Sequence, residues 1–392
     1  MLLLIKRLIK ISNSKSIFMK QIIPVIIILL LAACKQVSED DPFVTEMDSL
    51  LENEFSEGEP GASFIVKKAD SIVYLRSFGL ADMETKEEIT PGTLFNIGSI
   101  SKTFVAYGIL QLVEEKLVSL DDSIYEYFPD FDNPQVAKKV RIKHMLSHTS
   151  GLPDIRDKYG DSTFYLGAND TENFEPLKRA QSLNFEPGEK FEYSNPAFNG
   201  LALVIEQVAE LQWQEYIRDN IFIPSGMLTS TITDGSHPEE GVAHAYIREG
   251  DTWAEYDYGE CPKFAAAGNG GVWSTVLELA NYEEAIQENV FLEEELVDLS
   301  RTIFYPSNWA DTIEPFLGFS WFLDQDFLFR GQRTFDTDFI YHTGSQGGFL
   351  SIYLVIPGKD ILFIGLFNRS SENFRNIIAE ACILFEKYNW LE

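Results

Sequence analysis

Two almost uninterrupted apolar runs near the C-terminus, Phe349 to Ile356 and Ile361 to Phe367, are joined by Pro357-Gly358-Lys359-Asp360 and limit what this chain can become. A strand apolar at consecutive positions must be covered on both faces, so the fold needs a sheet with packed layers on either side. At the other end, Ala62 to Val66 and Ser71 to Phe78, separated by Lys67-Lys68-Ala69-Asp70, read as a hairpin. Helical spacing predicts an amphipathic helix over 45–56, from Met47, Leu50, Leu51 and Phe55. It predicts another from Ser99 to Leu117, with Val105, Ile109, Leu112 and Val113 on one stripe. A third carries Leu201, Val204, Ile205, Val208 and Leu211. The last helix presents Phe374, Ile377, Ile378, Ala381 and Phe385, which leaves Cys382 beside its inner face as a core thiol rather than a reactive one. Sheet elements at both ends and a helical middle imply an α+β fold, with a sheet region at about 45–120 and 265–392 and a helical region at about 121–264. No internal repeat interrupts this order.

Charge excludes one class of partner. The chain holds 31 Lys+Arg against 61 Asp+Glu, a net −30. Residues 1–33 contain five basic residues and no acid, leaving 26 against 61, or −35, for the rest. Such a body repels phosphate backbones, so nucleic acid is not an expected partner. The basic start leads into the apolar run Ile22 to Ala33, whose 12 residues include Pro24 and fall short of the ~20 that a spanning helix needs. It reads as the h-region of a signal peptide over 1–33, with Met19-Lys20 as a conventional start and 1–18 as a misassigned extension. Leu31-Ala32-Ala33-Cys34 resembles the lipobox of bacterial lipoproteins, which makes Cys34 the expected lipidation site. Residues 34–44 then form a tether, and 45–392 the folded domain. The expected location is the bacterial cell envelope, with the membrane reached through Cys34. Cys261 and Cys382 remain in the body, and their pairing cannot be read from spacing.

Chemistry concentrates in three short segments. In Phe95-Asn96-Ile97-Gly98-Ser99-Ile100-Ser101-Lys102, Ser99 opens a helix and Lys102 follows three residues on, within reach of the Ser99 hydroxyl on the same face. The helix start adds oriented N–H groups where an oxyanion would form. Ser-x-x-Lys alone is weak, since Ser12 and Lys15 repeat it, and the plain alternative for Ser99 is an N-cap. The second segment is Phe191-Glu192-Tyr193-Ser194-Asn195, the third Tyr341-His342-Thr343-Gly344-Ser345-Gln346-Gly347-Gly348 just before a strand. A basic residue, a hydroxyl and a glycine at a strand edge can hold an anionic group close to backbone. His144 and His148 stand at a spacing that can bind zinc, but no third ligand is evident, and structural roles are the simpler reading; no metal or cofactor is expected. The acidic cluster Glu293 to Glu295 reads as a solvated face.

Ser99-x-x-Lys102, Tyr193-x-Asn195 and His342-Thr343-Gly344, in that order, resemble the motifs of the serine β-lactamase and penicillin-binding protein superfamily. Met145 to Pro153 and Gly268 to Thr275 look like recurrent segments of its class C β-lactamase-like serine hydrolases. The resemblance runs from about residue 58 to 368. It implies a β-lactamase/transpeptidase-like fold, with an antiparallel sheet, a helical subdomain and a cleft between them. It further implies Ser99 as nucleophile, Lys102 as base, Tyr193 as proton shuttle and Asn195 as the residue orienting Lys102 and the substrate amide. His342, Thr343 and Gly344 would bind substrate, with backbone N–H groups of Ser99 and Ser345 holding the oxyanion.

This chemistry sets electrostatic demands. At an ordinary pKa near ~10.4, Lys102 would be free base in only about one molecule in 2,500 at pH 7, so burial must lower it by ~3 pH units. Tyr193 faces the same demand, and nearby cations are expected to lower its pKa. Where most β-lactamases of the superfamily have Lys, this chain has His342, as some D-amino-acid-specific peptidases and esterases do. Titration of His342 near pH ~6.5 is expected to weaken its grip on carboxylates as pH rises. The expected activity is acyl transfer from a D-amino-acid peptide, a β-lactam or a carboxylic ester, by a monomer acting on a small molecule or peptide. The alternative is a non-catalytic lipoprotein that binds cell-wall peptide or a protein partner in the same cleft. Loops 155–180 and 300–337 are expected to build the pocket walls.

Overall fold

The computed structural model describes residues 41–155, 167–256 and 265–392. Cys34 with its lipobox and Cys261 lie outside the described residues. Helix α1 (Pro42–Glu52) starts earlier than the apolar spacing predicts, because the Asp41 carboxylate accepts from the Phe43 N–H and Pro42 suits the first helical turn. Strands β1 (Ala62–Lys68) and β2 (Ser71–Phe78) form the expected hairpin. Then follow α2 (Ser101–Glu114), α3 (Asp170–Lys178), α4 (Asn195–Ala209), α5 (Val276–Gln287) and the short α6 (Gln325–Phe329). Strands β3 (Ile340–Gln346), β4 (Phe349–Ile356) and β5 (Ile361–Phe367) precede the last helix, α7 (Phe374–Lys387).

The main sheet is five-stranded and antiparallel, in the order β3-β4-β5-β1-β2. Ala62 of β1 lies opposite Phe367 of β5 and Phe78 of β2, so the two ends of the chain close one sheet. The fold is therefore α+β with the β-lactamase/transpeptidase arrangement of antiparallel sheet and flanking helices. The His342 segment, expected only to precede a strand, is itself the edge strand β3. Its mixed polarity, with Thr343 half-buried and Ser345 exposed, hides it from an apolar-run reading.

Alternation along the strands divides two cores. Phe64, Val66, Leu354, Ile356, Phe363 and Phe367 face one side, where they pack with Phe43, Met47, Ile378 and Phe385 of the terminal helices. Ile65, Tyr353, Val355, Ile364 and Leu366 face the other, toward the core of α2, α4 and α5. Cys382 is wholly buried in the first core, and burial pushes its thiol pKa up, as suits a packing residue.

Helix α2 differs from its expected single stripe: every residue from Ser101 to Leu112 is buried. It is the axis of the molecule, packed from all sides. Gly108 allows this, since a Cβ there would come within 2.8 Å of Ile205 and Ile217. An axis buried throughout holds whatever it carries at its N-terminus in one place.

Candidate active site

The chain enters α2 through a tight turn, Gly98–Ile100, rather than directly. Ser99 does not cap the helix, which has no side-chain cap. The turn is clamped on both sides. The Asn96 side chain accepts from the Gly98 N–H at 2.8 Å, and Ser351 Oγ on β4 donates to the Ile97 carbonyl at 2.8 Å. Gly98 takes a positive φ of 53°, and a Cβ there would lie 2.7 Å from the Ser345 nitrogen. A Cβ on Gly344 would fall 2.1 Å from the Ile97 carbonyl oxygen. Glycine at both positions lets the turn of Ser99 and strand β3 press together, which brings Ser99 beside the backbone of Ser345.

Lys102, wholly buried, donates to Ser99 Oγ at 3.0 Å and to the main-chain carbonyl of Asn269 at 2.6 Å. Its Nζ stands 5.3 Å from the centre of the Tyr193 ring and 5.9 Å from that of Phe198. Tyr193 directly precedes α4, whose N-cap Ser194 accepts from the Ala197 N–H. The expected lowering of the Tyr193 pKa does not occur. Burial of its hydroxyl end pushes the phenol up, opposed only by a hydrogen bond with Ser99, so the phenol is neutral at pH 7.

His342 also departs from expectation. It is 1% exposed, and burial, followed by the nearby Lys102 charge, lowers its pKa to about 3 against a raising contribution from the Thr343 carbonyl. It is a neutral imidazole across the usual working range and cannot grip a carboxylate as a cation. Its Nδ1 lies 2.7 Å from the Thr343 carbonyl, which can only accept, so Nδ1 carries the proton and Nε2 the lone pair. His148 has the opposite tautomer: the Ser194 N–H donates to its Nδ1 at 3.0 Å, and its Nε2 carries the proton. Its ring stacks on Tyr193 with centroids 4.2 Å apart. His144 accepts from the Arg141 N–H at 3.2 Å. The two histidines with zinc-like spacing thus serve separate pieces of backbone.

The side chain of Asn195, expected to orient Lys102, makes no hydrogen bond among the described residues. Asn269 does that work, and it is held in turn. Its Nδ2 donates to Asn199 Oδ1 at 2.9 Å, and Asn199 Nδ2 donates to Asp170 Oδ1 at 2.6 Å. Asp170 also accepts from Trp213 Nε1 at 2.9 Å and the Gly268 N–H at 2.8 Å. Burial raises its pKa to about 6 despite these three donors. Asn269 and His148 fall inside the two recurrent segments that the sequence singles out, though without a role. Nothing in the sequence distinguishes Asp170 from the other acidic residues.

Ser99, Tyr193, His342, Thr343, Gly344 and Ser345 line one cavity of about 620 Å³. Its walls add Phe191, Phe322, Phe327, Leu350 and Phe374, with Arg330 and Arg375. The segment 300–337 does contribute walls, through Phe322, Phe327 and Arg330; of 155–180, residues 156–166 lie outside the described residues, and the described remainder, which includes α3, does not line this cavity. The arrangement offers a hydroxyl beside an enclosed amine, a neutral phenol next to both, and a cavity walled in good part by aromatic side chains.

A family model described as "Beta-lactamase" matches residues 45–384. The chain is 27% identical over 273 residues to "Penicillin-binding protein 4*" of Bacillus subtilis (strain 168), covering 66% of this chain and 58% of that protein. It is 29% identical over 215 residues to "Protein flp" of Staphylococcus aureus (strain MW2), covering 53% of this chain and 42% of that one. The chain thus spans about half the length of the curated relatives it matches. Among solved structures, the octameric penicillin-binding protein homologue from Pyrococcus abyssi is similar at TM-score 0.70 and 26% identity, over 87% of this chain and 76% of that chain. The D-amino acid amidase from Ochrobactrum anthropi SV3, complexed with L-phenylalanine amide, has the same fold at TM-score 0.72 and 21% identity, over 88% and 99%.

Proposed function

The chain belongs to the β-lactamase family, and from that premise we propose that it is a serine hydrolase working through an acyl-enzyme on Ser99. The observation that carries this reading is the 3.0 Å contact between the buried Lys102 Nζ and Ser99 Oγ, where Ser99 lines the cavity that Tyr193 shares. Ser99 Oγ attacks the substrate carbonyl while its proton passes to Lys102, and the Ser99 and Ser345 N–H groups receive the developing oxyanion. The C–N or C–O bond of the substrate then breaks. Tyr193 hands its proton to the departing group and regains one from Lys102. Water attacks the acyl ester by the reverse relay, releasing the acid and restoring Ser99. The raised pKa of Tyr193 suits this role, since a neutral phenol relays a proton without holding a charge.

The substrate class proposed is an amide or ester with an apolar portion: a D-amino-acid peptide, a carboxylic ester or a β-lactam. The neutral His342 favours the first two, because it supplies no cation for a β-lactam carboxylate. We also propose export and lipidation at Cys34. A fluorophosphonate tests the central assignment. Wild type should be labelled covalently, and Ser99→Ala should lose labelling and turnover of any active ester while its melting temperature stays close to that of wild type. Retention of a tenth of the activity by Ser99→Ala places the nucleophile elsewhere.

A further inference from the structure

In a chain with 61 acidic and 31 basic residues, two guanidiniums without a carboxylate partner are unexpected in one place, and both line the cavity that holds Ser99. Arg330 is exposed, caps the C-terminus of α6 at a positive φ of 54° with its backbone N–H on the Asp326 carbonyl, and its guanidinium makes no hydrogen bond or ion pair with any described residue. Arg375 is half-buried, and its Nη1 donates to the carbonyls of Phe327 at 2.8 Å and Leu328 at 2.5 Å, so its bonds are to backbone alone. The two are near enough for the charge of Arg330 to act on Arg375.

Local physics opposes this arrangement. Arg375 is the second residue of α7, a 14-residue helix with no acidic residue in its first turn and no side-chain cap. A cation there lies against the helix dipole, and a second cation beside it adds repulsion. Glu372 lines the same cavity but forms an ion pair with neither arginine. Both guanidiniums border a space that Phe322, Phe327 and Phe374 also wall.

We propose that Arg330 and Arg375 form an anion subsite for the substrate: an oxyanion, carboxylate or phosphate, linked to the scissile carbonyl by an apolar segment lying against Phe322, Phe327 and Phe374. Guanidinium forks bind such oxyanions with charge-assisted bonds. The inference rests on the serine hydrolase reading and deepens it, because it moves recognition of substrate charge from His342 to the arginine pair.

Two ester series on the full-length protein test this. One compares p-nitrophenyl hemiesters of dicarboxylic acids of graded length with p-nitrophenyl alkanoates of matching length, placing the anion on the acyl side. The other compares meta-acetoxybenzoate and meta-acetoxyphenyl phosphate with meta-acetoxybenzamide, placing it on the leaving side and separating carboxylate from phosphate. In at least one series kcat/KM should favour the anionic member by at least about tenfold. Arg330→Gln should bring that ratio toward one, and Arg330→Glu should invert it; neither removes an internal bond, so folding is not at stake. Ratios near one in both series for wild type overturn the subsite while leaving the hydrolase reading intact. Should fluorophosphonate labelling and all ester turnover fail, the hydrolase reading falls, and calorimetric titration with suberate decides the subsite alone. Binding that Arg330→Glu abolishes sustains it, and absence of binding to wild type overturns it.

Discussion

Lys102 Nζ donates to the main-chain carbonyl of Asn269 at 2.6 Å, a shorter contact than the one it makes with Ser99. The amine at the centre of the proposed chemistry is therefore positioned by a residue 167 places away in sequence. That carbonyl is fixed through Asn199 by Asp170.

Asp170→Ala should destabilise the protein by about 2–5 kcal/mol in urea unfolding at pH 7, because the Asn199 amide, the Trp213 indole and the Gly268 N–H would be left buried without an acceptor. It should also lower kcat by loosening Asn269. The pH dependence has a definite sign. With its pKa raised from 3.8 to about 6, Asp170 keeps its proton in the folded state where the unfolded chain has lost it, so its contribution to stability falls as pH rises across that window. Wild type and Asp170→Ala with equal urea midpoints would exclude the network from a structural role.

His342 should confer acid lability instead. Its pKa is lowered from 6.5 to about 3, so the unfolded chain takes up a proton where the folded chain does not, and stability drops as pH falls from 6.5 toward 3. His144, lowered to about 4, adds in the same direction, as does His148. At pH 5 His342 and His144 each contribute a loss of ~2 kcal/mol. His342→Asn should flatten the fall in melting temperature between about pH 6.5 and 4, and kcat/KM in wild type should show no His342 titration from about pH 5 to 9. An imidazole shift in NMR that titrates at His342 near pH 6.5 would refute this.

Gly344→Ala should cost at least about 100-fold in kcat/KM with a folded protein remaining, since its Cβ would collide with the Ile97 carbonyl and push the turn of Ser99 off strand β3. Gly358→Ala, where nothing lies within 4 Å, is the control and should match wild type. Equal rates for the two variants would mean that the clamp between turn and strand does not set the position of Ser99.

Cys34→Ser should shift the protein from the membrane fraction to the soluble envelope or culture fraction, as expected if a lipidated Cys34 is its anchor. Wild type recovered soluble, with an unprocessed N-terminus, would remove the anchor.

Much of the fold was legible because the features that mark it are local. Phe349 to Ile356 and Ile361 to Phe367 announce a sheet covered on both faces, and the spacing of Ser99 and Lys102 reports their contact. Strand β3 was not legible: as an edge strand beside the cavity it carries Thr343, Ser345 and Gln346 among apolar residues, so the apolar run that marks a central strand is missing. The electrostatics of His342 and Tyr193 were not legible either, because desolvation depends on what the fold heaps around a group rather than on its neighbours in sequence. Asn269 acts through its main-chain carbonyl, a group every residue has. Arg330 and Arg375 belong to separate elements, and only the fold sets them in the same cavity.

The sheet closes late in the life of the polypeptide. Gly61 donates its N–H to the side chain of Asn368, 307 residues on, and β1 finds its second partner only in β5. A ribosome must have made nearly the whole chain before the strand leading toward Ser99 can be paired on both edges, and closing so long a loop makes assembly slow. During that interval the nascent chain stays open and threadable, the state in which a polypeptide can pass through a secretion channel before it folds on the far side.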